Sequence, residues 1–206
     1  HGGNIVHRGQ DITNQGSYIL RERGLAYVPA DRLRRGSSLR SSVLENMIIS
    51  THHTFLKRGI INQNAVKSFG RNLSKNFSIS TELDVPIGTL SGGNIQKVIL
   101  SRELAALSDF IMFSEPTWGL DVSSAEFIYQ KMLECRKNRV AILLISSNLD
   151  EILGLADVIV VMYRGRVVGK FANNGELTKE LIGEYMLGLR DNFSAAEDEE
   201  PENNEA

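Results

Sequence analysis

Cysteine is almost missing from this chain of 206 residues. The single residue, Cys135, excludes a disulfide framework. It also fits a reducing compartment. Long apolar runs are missing too. The two longest, at 140–145 and 158–163, hold six residues each, where a membrane-spanning helix takes about 20. Neither sign of charge dominates, and the formal net charge is −2. That balance conceals a split. Residues 191–206 carry seven acids and no base, which leaves 23 bases against 18 acids in residues 1–190. A body of +5 is too mild to argue for nucleic acid by itself. The acidic tail reads as a solvated, disordered segment. The chain opens on His1 rather than Met and has no signal-peptide pattern, so an N-terminally incomplete fragment is expected.

What is present is ordinary for a globular protein, with 42% hydrophobic and 23% charged residues. Disorder over the whole length is excluded, and the length suits one domain with additions. Residues 5–7 read as a short extended piece of a hairpin. Tyr18, Ile19 and Glu22 fit a short helix that Gly24 can end. Residues 25–28 read as a strand closed by Pro29, and 31–42 as a polar loop whose Arg32, Arg34 and Arg35 are solvated. From 43 to 87 the apolar spacing is helical but irregular, clearest at Val66, Phe69, Leu73 and Phe77. The pattern then alternates. A helix is expected over 94–106, a strand over 110–113, a helix over 124–137, and a strand over 140–145. A helix near 149–155, a strand over 158–163 and a hairpin arm at 166–171 follow. This alternation argues for α/β with a mainly parallel sheet covered on both faces.

In open α/β sheets ligands bind at the carboxyl ends of the strands. Two of the expected strands end in polar residues, one in Ser114, Glu115, Pro116 and Thr117, the other in Ser146, Ser147 and Asn148. Serines there can simply cap the next helix. A carboxylate such as Glu115 at the end of a buried strand is costly unless it is paired, hydrogen-bonded or solvated in a cleft. The sharpest segment is residues 90–97, LSGGNIQK. A serine and two glycines opening a helix expose backbone N–H groups and a hydroxyl where the helix dipole favours an anion. On that physics a phosphate site and a plain serine N-cap stand side by side.

Residues 90–97 resemble the LSGGQ signature of ATP-binding cassette (ABC) ATPases, in the LSGGNQQK form found in the second cassette of tandem-cassette importers for simple sugars and nucleosides. Residues 26–32 (AYVPADR) are similar to that group's YVPEDR segment, and 42–46 (SVLEN) to its SVxEN stretch. Residues 115–122 (EPTWGLDV) resemble Walker B running into the D-loop. Residues 145–151 (ISSNLDE) are similar to the ISSELDE segment, and 163–169 (YRGRVVG) to the closing hairpin. The resemblance spans most of residues 1–190 and excludes the acidic tail.

The resemblance implies an α/β, P-loop NTPase-like ABC cassette. It would have a mainly parallel sheet core, an antiparallel N-terminal and hairpin portion, and a helical subdomain. Residues 1–42 would be a partial ATP-binding core and 43–89 the helical subdomain. Residues 90–190 would hold the signature helix, Walker B, D-loop and switch region, with the tail at 191–206. Such cassettes pair head to tail, each ATP lying between one cassette's Walker motifs and the other's signature. Ser91, Gly92, Gly93 and Asn94 would then contact an ATP held by the partner. Asp121 would be the D-loop aspartate and Glu115 the catalytic base. The implied cofactors are ATP and Mg²⁺. The implied partners are a second cassette (the N-terminal half of the same protein), membrane-spanning permease subunits and, indirectly, a substrate-binding protein, with no nucleic acid. The implied location is peripheral, on the cytoplasmic face of the cell membrane.

Three departures bear on catalysis. G-x-x-x-x-G-K-[ST], the Walker A pattern, does not occur, and Gly169-Lys170 is followed by Phe171. The motif is expected upstream of His1. Ser114 stands where Walker B has its aspartate, and an uncharged hydroxyl is a poorer ligand for a hard cation. Ser147 stands where the switch histidine is usual. A further change, Trp118 in place of a common arginine, has no physical account in the sequence. The expected function is an ATP-binding subunit energising import of a simple sugar or nucleoside, with an intact signature and a degenerate site of its own. The fragment alone is expected to be inactive. Two rivals are a non-hydrolytic regulatory module and a soluble ABC protein acting on DNA or ribosomes. The adjacent His52 and His53 lack the clustered ligands of a metal site.

Overall fold

A computed structural model describes residues 2–106 and 108–193, so most of the acidic tail lies outside the described residues. The chain folds as two units, His1–Ile145 and Ser146–Ala206.

The first unit opens with a small antiparallel hairpin, β1 (Val6–His7) with β2 (Gln10–Asp11). Helix α1 (Ser17–Glu22) ends just before Gly24 and feeds β3 (Leu25–Val28). The expected polar loop then contains a π-helical turn, Arg32–Gly36, started by Asp31, whose carboxylate accepts from the Arg34 N–H. Helix α2 (Val43–Ile48) begins with a capping box. The Glu45 N–H donates to the Ser42 hydroxyl at 3.1 Å, and the Ser42 N–H donates to the Glu45 carboxylate at 2.7 Å. Both exchanges satisfy N–H groups that a helix start or its flank leaves over.

The helical spacing read over 43–87 is interrupted after α2. A 3-10 turn (His52–Phe55) leads into a second hairpin, β4 (Leu56–Lys57) with β5 (Ile60–Ile61). Arg58 and Gly59 both adopt positive φ at its tip. Helix α3 (Gln63–Asn76) follows, with Val66 and Leu73 buried. It carries Phe69, whose ring packs 5.1 Å from that of Phe55. A 3-10 turn (Ile87–Thr89) delivers the chain to α4 (Gly92–Ala105).

Strand β6 (Phe110–Ser114), helix α5 (Val122–Lys137) and β7 (Ala141–Ile145) complete the unit. The sheet runs β3-β6-β7, all parallel, with Val28 beside Phe113 and Phe113 beside Leu144. Period-2 alternation divides its faces. Ala26, Val28, Ile111 and Phe113 are buried, whereas Tyr27, Leu143 and Ile145 on the other face are exposed. Within this unit the sheet is therefore covered on one face, although its strands are apolar on both.

The second unit is smaller. Helix α6 (Leu149–Leu155), the antiparallel pair β8 (Val158–Tyr163) and β9 (Arg166–Ala172), and α7 (Lys179–Met186) enclose a core of Ile159, Val161, Val168, Ile182 and Tyr185. Strand β8 pairs with β9 and is not a member of the parallel sheet. Among the described residues no helix is long and apolar enough to cross a membrane.

Candidate functional site

Ser91 has extended backbone dihedrals and is the N-cap of α4. Its hydroxyl accepts from the Asn94 N–H at 3.4 Å, and the helical ladder begins with the Ile95 N–H on the Ser91 carbonyl at 3.0 Å. The N–H groups of Gly92 and Gly93 lie ahead of that ladder, at the positive end of the helix dipole. Gly93 is buried, and a Cβ there would overlap the Ser124 hydroxyl on α5. Glycine is what lets the two helix starts meet.

Asp121 is the N-cap of α5. Its carboxylate accepts from the Ser123 hydroxyl at 2.7 Å, the Ser124 N–H at 2.9 Å and the Ser124 hydroxyl at 2.8 Å. These bonds favour the charged form and hold the carboxyl well below the usual carboxylate range. Asp121 is thus a fixed anion beside the signature turn.

Between Ser114 and Asp121 runs the exit loop of β6. Ser114 pairs with Ile145 across the sheet, and the Glu115 N–H donates to the Ile145 carbonyl at 2.8 Å. Glu115 has φ 44°, a left-handed conformation that non-glycine residues seldom hold and that clusters at functional sites. The next turn closes by the Trp118 N–H on the Glu115 carbonyl at 3.2 Å. Gly119, with φ 65°, supplies the reversal that brings Asp121 to its helix.

Two residues hold this loop that sequence reasoning did not single out. Gln96 is 2% exposed, and its side-chain amide donates to the Pro116 carbonyl at 3.0 Å. Arg32 is no solvated loop residue. Its guanidinium donates to the carbonyls of Trp118 at 3.0 Å and Gly119 at 3.4 Å, and partial burial lowers its pKa. Gln96 had no periodic signal, since it lies about 100° round the helix from Ile95 and off the Ile95, Val98 and Ile99 stripe. Arg32 had none beyond its place in the AYVPADR segment.

Ser91, Gly92, Gly93, Asn94, Ser114, Glu115 and Asp121 all belong to the first unit, and Ser147 belongs to the second. There Ser146 precedes it, with its hydroxyl donating to Glu151 at 2.6 Å, and Asn148 caps α6 by accepting from the Asp150 N–H at 3.0 Å.

The arrangement suits a phosphate better than a metal ion. The α4 start offers backbone donors, a hydroxyl and, at Gly93, a contact with Ser124 that only glycine permits. For a hard cation the end of β6 offers one carboxylate and one neutral hydroxyl. Among the described residues no group of three or more His, Cys, Asp or Glu side chains could hold a metal. Mg²⁺ is commonly held by one or two carboxylates together with substrate phosphates and water, so Glu115 and the Ser114 hydroxyl could contribute to such a site without forming one by themselves.

No family model matches the chain. It is 35% identical over 189 residues to the nucleoside import ATP-binding protein NupA of Lactococcus lactis subsp. cremoris (strain MG1363), covering 90% of this chain and 37% of NupA. It is 34% identical over 187 residues to the ribose import ATP-binding protein RbsA of Oceanobacillus iheyensis, covering 90% and 38%. The guanosine import ATP-binding protein NupO of Bacillus subtilis (strain 168) matches at 31% over 189 residues, covering 90% and 37%. The chain therefore spans little more than a third of the length of these relatives. Among solved structures, a nucleotide-free ATP-binding cassette from an ABC transporter superposes with TM-score 0.68 at 22% identity, over 91% of this chain and 74% of that one. A dimeric post-hydrolysis ATP-binding cassette bound to ADP and Pi superposes with TM-score 0.70 at 18% identity, over 84% and 75%. At such identities the likeness concerns the fold.

Proposed function

We propose that this chain, which is similar to the ATP-binding proteins of nucleoside and ribose importers and has the fold of an ATP-binding cassette, is an ATP-binding cassette of the ABC ATPase family and serves such an importer as the signature-donating half of a cassette pair. In this reading Ser91, Gly92 and Gly93 contact the terminal phosphate of an ATP held by the partner cassette, and Asn94 stands beside them in place of the usual glutamine. The observation that carries it is the start of α4, where N-terminal N–H groups, the Ser91 hydroxyl and the glycine-only contact of Gly93 with Ser124 converge. The fixed carboxylate of Asp121 borders that turn and faces across the pair.

The cassette's own site is degenerate in this reading. Ser114 brings no charge to Mg²⁺, and Ser147 brings no imidazole to the phosphate. Glu115 is retained and would orient the attacking water. The exposed apolar face of the parallel sheet, with Tyr27, Leu143 and Ile145, supports an upstream Walker A segment that packs there. The chain would then be the second cassette of a tandem protein, peripheral on the cytoplasmic face of the membrane. Residues 43–89 would meet the permease subunits, and a substrate-binding protein would act indirectly. The cargo is a simple sugar or a nucleoside.

Ser114 also favours a second reading, a regulatory cassette that binds nucleotide without hydrolysing it. Turnover of the full-length protein with its permease separates the readings. Ser91→Arg is expected to abolish turnover, and survival of turnover overturns the signature role. Glu115→Gln is expected to change turnover little. A fall approaching about 10²-fold, the scale of losing a general base, overturns the silent site.

A further inference from the structure

We propose that the β4–β5 hairpin lies on the anionic headgroups of a lipid bilayer, with Ile60 entering the interface and Lys57 and Arg58 at the lipid phosphates. The inference rests on the membrane-peripheral placement proposed above and is independent of the signature role.

Charge is the first observation. Residues 46–81 contain no Asp or Glu and five bases, Lys57, Arg58, Lys67, Arg71 and Lys75. Without those five, residues 1–190 hold 18 bases against 18 acids. The whole positive excess of the body therefore lies in this one segment. All five bases are exposed, and none forms an ion pair among the described residues. Lys67, Arg71 and Lys75 recur every four residues along α3 and form a stripe. Lys67 and Arg71 border a hollow with Glu82 and Asp84, so acids temper that part of the stripe. Lys57 and Arg58 stand farther from acids along the chain, Glu45 lying 12 residues before Lys57 and Glu82 lying 24 after Arg58. Unopposed bases of this kind are drawn to an anionic leaflet.

Exposed apolar side chains are the second. Ile49, Leu56, Ile60 and Ile61 are all exposed within a short stretch. Single exposed apolar residues are normal, whereas a cluster rimmed by polar groups marks an interaction surface. The hairpin register sets Leu56 opposite Ile61 and Lys57 opposite Ile60, so each pair shares a face. Ile60 is 74% exposed, directly across from a lysine. Behind the strands the hairpin is already anchored, by the Phe55 ring on Phe69 and by the Asn62 N–H on the Phe55 carbonyl at 2.9 Å. Ile60 adds nothing to that anchorage. An interfacial anchor needs what the hairpin tip has, aliphatic groups to sink below the headgroups and long cations that stay at the phosphates. A single-stranded nucleic acid would use the bases but would stack on aromatic rings, and residues 56–61 (LKRGII) include none.

The test is flotation of the full-length protein, free of permease, with protein-free vesicles. One set holds phosphatidylglycerol with phosphatidylcholine, the other phosphatidylcholine alone. The parent is expected to float with the first and not the second, and high salt should release it, because exposed charges are screened there. Ile60→Ser should weaken binding about tenfold, the scale of burying one aliphatic side chain, and Ile60→Leu should bind as the parent does. Lys57→Ala with Arg58→Ala should weaken it about 20-fold, the scale of two cations at an anionic surface. These residues are exposed, so the thermal midpoint should hold in every variant. Parental binding by Ile60→Ser overturns the proposal and leaves adsorption by charge alone. Flotation only when the vesicles carry the permease overturns it in favour of a protein contact. Retention on single-stranded RNA at a salt concentration that releases the vesicles overturns it in favour of a nucleic-acid site. No binding with or without permease overturns the peripheral placement as well. Ser91→Arg separates the signature role, since it should float as the parent does while losing turnover with the permease. If the parent fails to float and Ser91→Arg still abolishes turnover, the lipid contact alone is wrong.

Discussion

Gly93 and Ser124 meet so closely that no side chain fits between them. A Cβ at Gly93 would overlap the Ser124 hydroxyl and stand 3.5 Å from an Asp121 carboxylate oxygen. The hydroxyl cannot swing aside freely, because it donates to Asp121 at 2.8 Å. Gly93→Ala should therefore force α4 and α5 apart at their starts. The expected cost is about 1–3 kcal/mol, the usual range for overpacking, read as a lower urea midpoint. Adding Ser124→Gly should restore most of it. An alanine variant as stable as the parent would mean that the two helices move apart without cost.

Glu103 sits on the inner side of α4 with its side chain fully buried. Arg21 reaches it at 2.6 Å, Arg102 at 2.8 Å, and the Tyr27 N–H donates to it at 3.3 Å. The carboxylate thus ties α1, β3 and α4 together. Glu103→Gln keeps the shape and leaves the Arg102 guanidinium, itself buried, short of an anion. The expected loss is about 3–5 kcal/mol, as for other buried pairs with one partner removed. Replacing Glu103 and Arg102 together by methionine should cost much less than Glu103→Gln alone. Equal losses in both variants would show that the charge is not what matters.

Asp121 makes a pH prediction. Three hydrogen bonds depress its pKa in the folded chain below the ordinary 3.8. A depressed carboxylate contributes stability that is complete above its unfolded value and is lost as pH falls through the folded one. The stability difference between the parent and Asp121→Asn should therefore be flat near neutrality. It should begin to shrink only as pH drops below the ordinary carboxylate value. Urea midpoints of both proteins between neutral and strongly acidic pH measure it. A difference that changes between pH 6 and 8 would place the effect on another group.

Where one short segment carried its own start and stop signals, the sequence was enough. Ser91 opening a helix gave α4, the inward spacing of Phe127, Ile128 and Met132 gave α5, and the unbroken run ahead of Ser114 gave β6. The β4–β5 hairpin was not legible, because two residues per strand leave no period to detect and its turn is Arg58-Gly59 rather than a strong turn pair. Arg32 misled for a different reason. Arginines in a polar loop are usually solvated, and only the fold brings the Trp118 and Gly119 carbonyls within reach. The exposed sheet face is the same lesson in reverse. Apolar residues on both sides of a strand announce two covered faces, but they do not say what does the covering.

Ser114 allows the last prediction, a gain of function. It ends β6 on the same side of the sheet as Phe110 and Met112, the face that is not fully buried. At the carboxyl end of β6, beside the phosphate site expected there, the desolvation cost of a carboxylate would be offset by the cation it binds. The following residue, Glu115, already provides one carboxylate at the strand exit. Ser114→Asp would supply the second charged oxygen that a hard cation prefers to a neutral hydroxyl. In the full-length protein, with the partner cassette's own site inactivated, Ser114→Asp is expected to lower the Mg²⁺ concentration needed for half-maximal turnover by about tenfold or more, the scale on which single groups around a metal tune its affinity. The residual turnover should rise with it, and Glu115→Gln added to Ser114→Asp should remove the gain. If Ser114→Asp leaves the Mg²⁺ midpoint where it was, the weakness of this site does not lie at the end of β6, and Ser147 becomes the residue to restore.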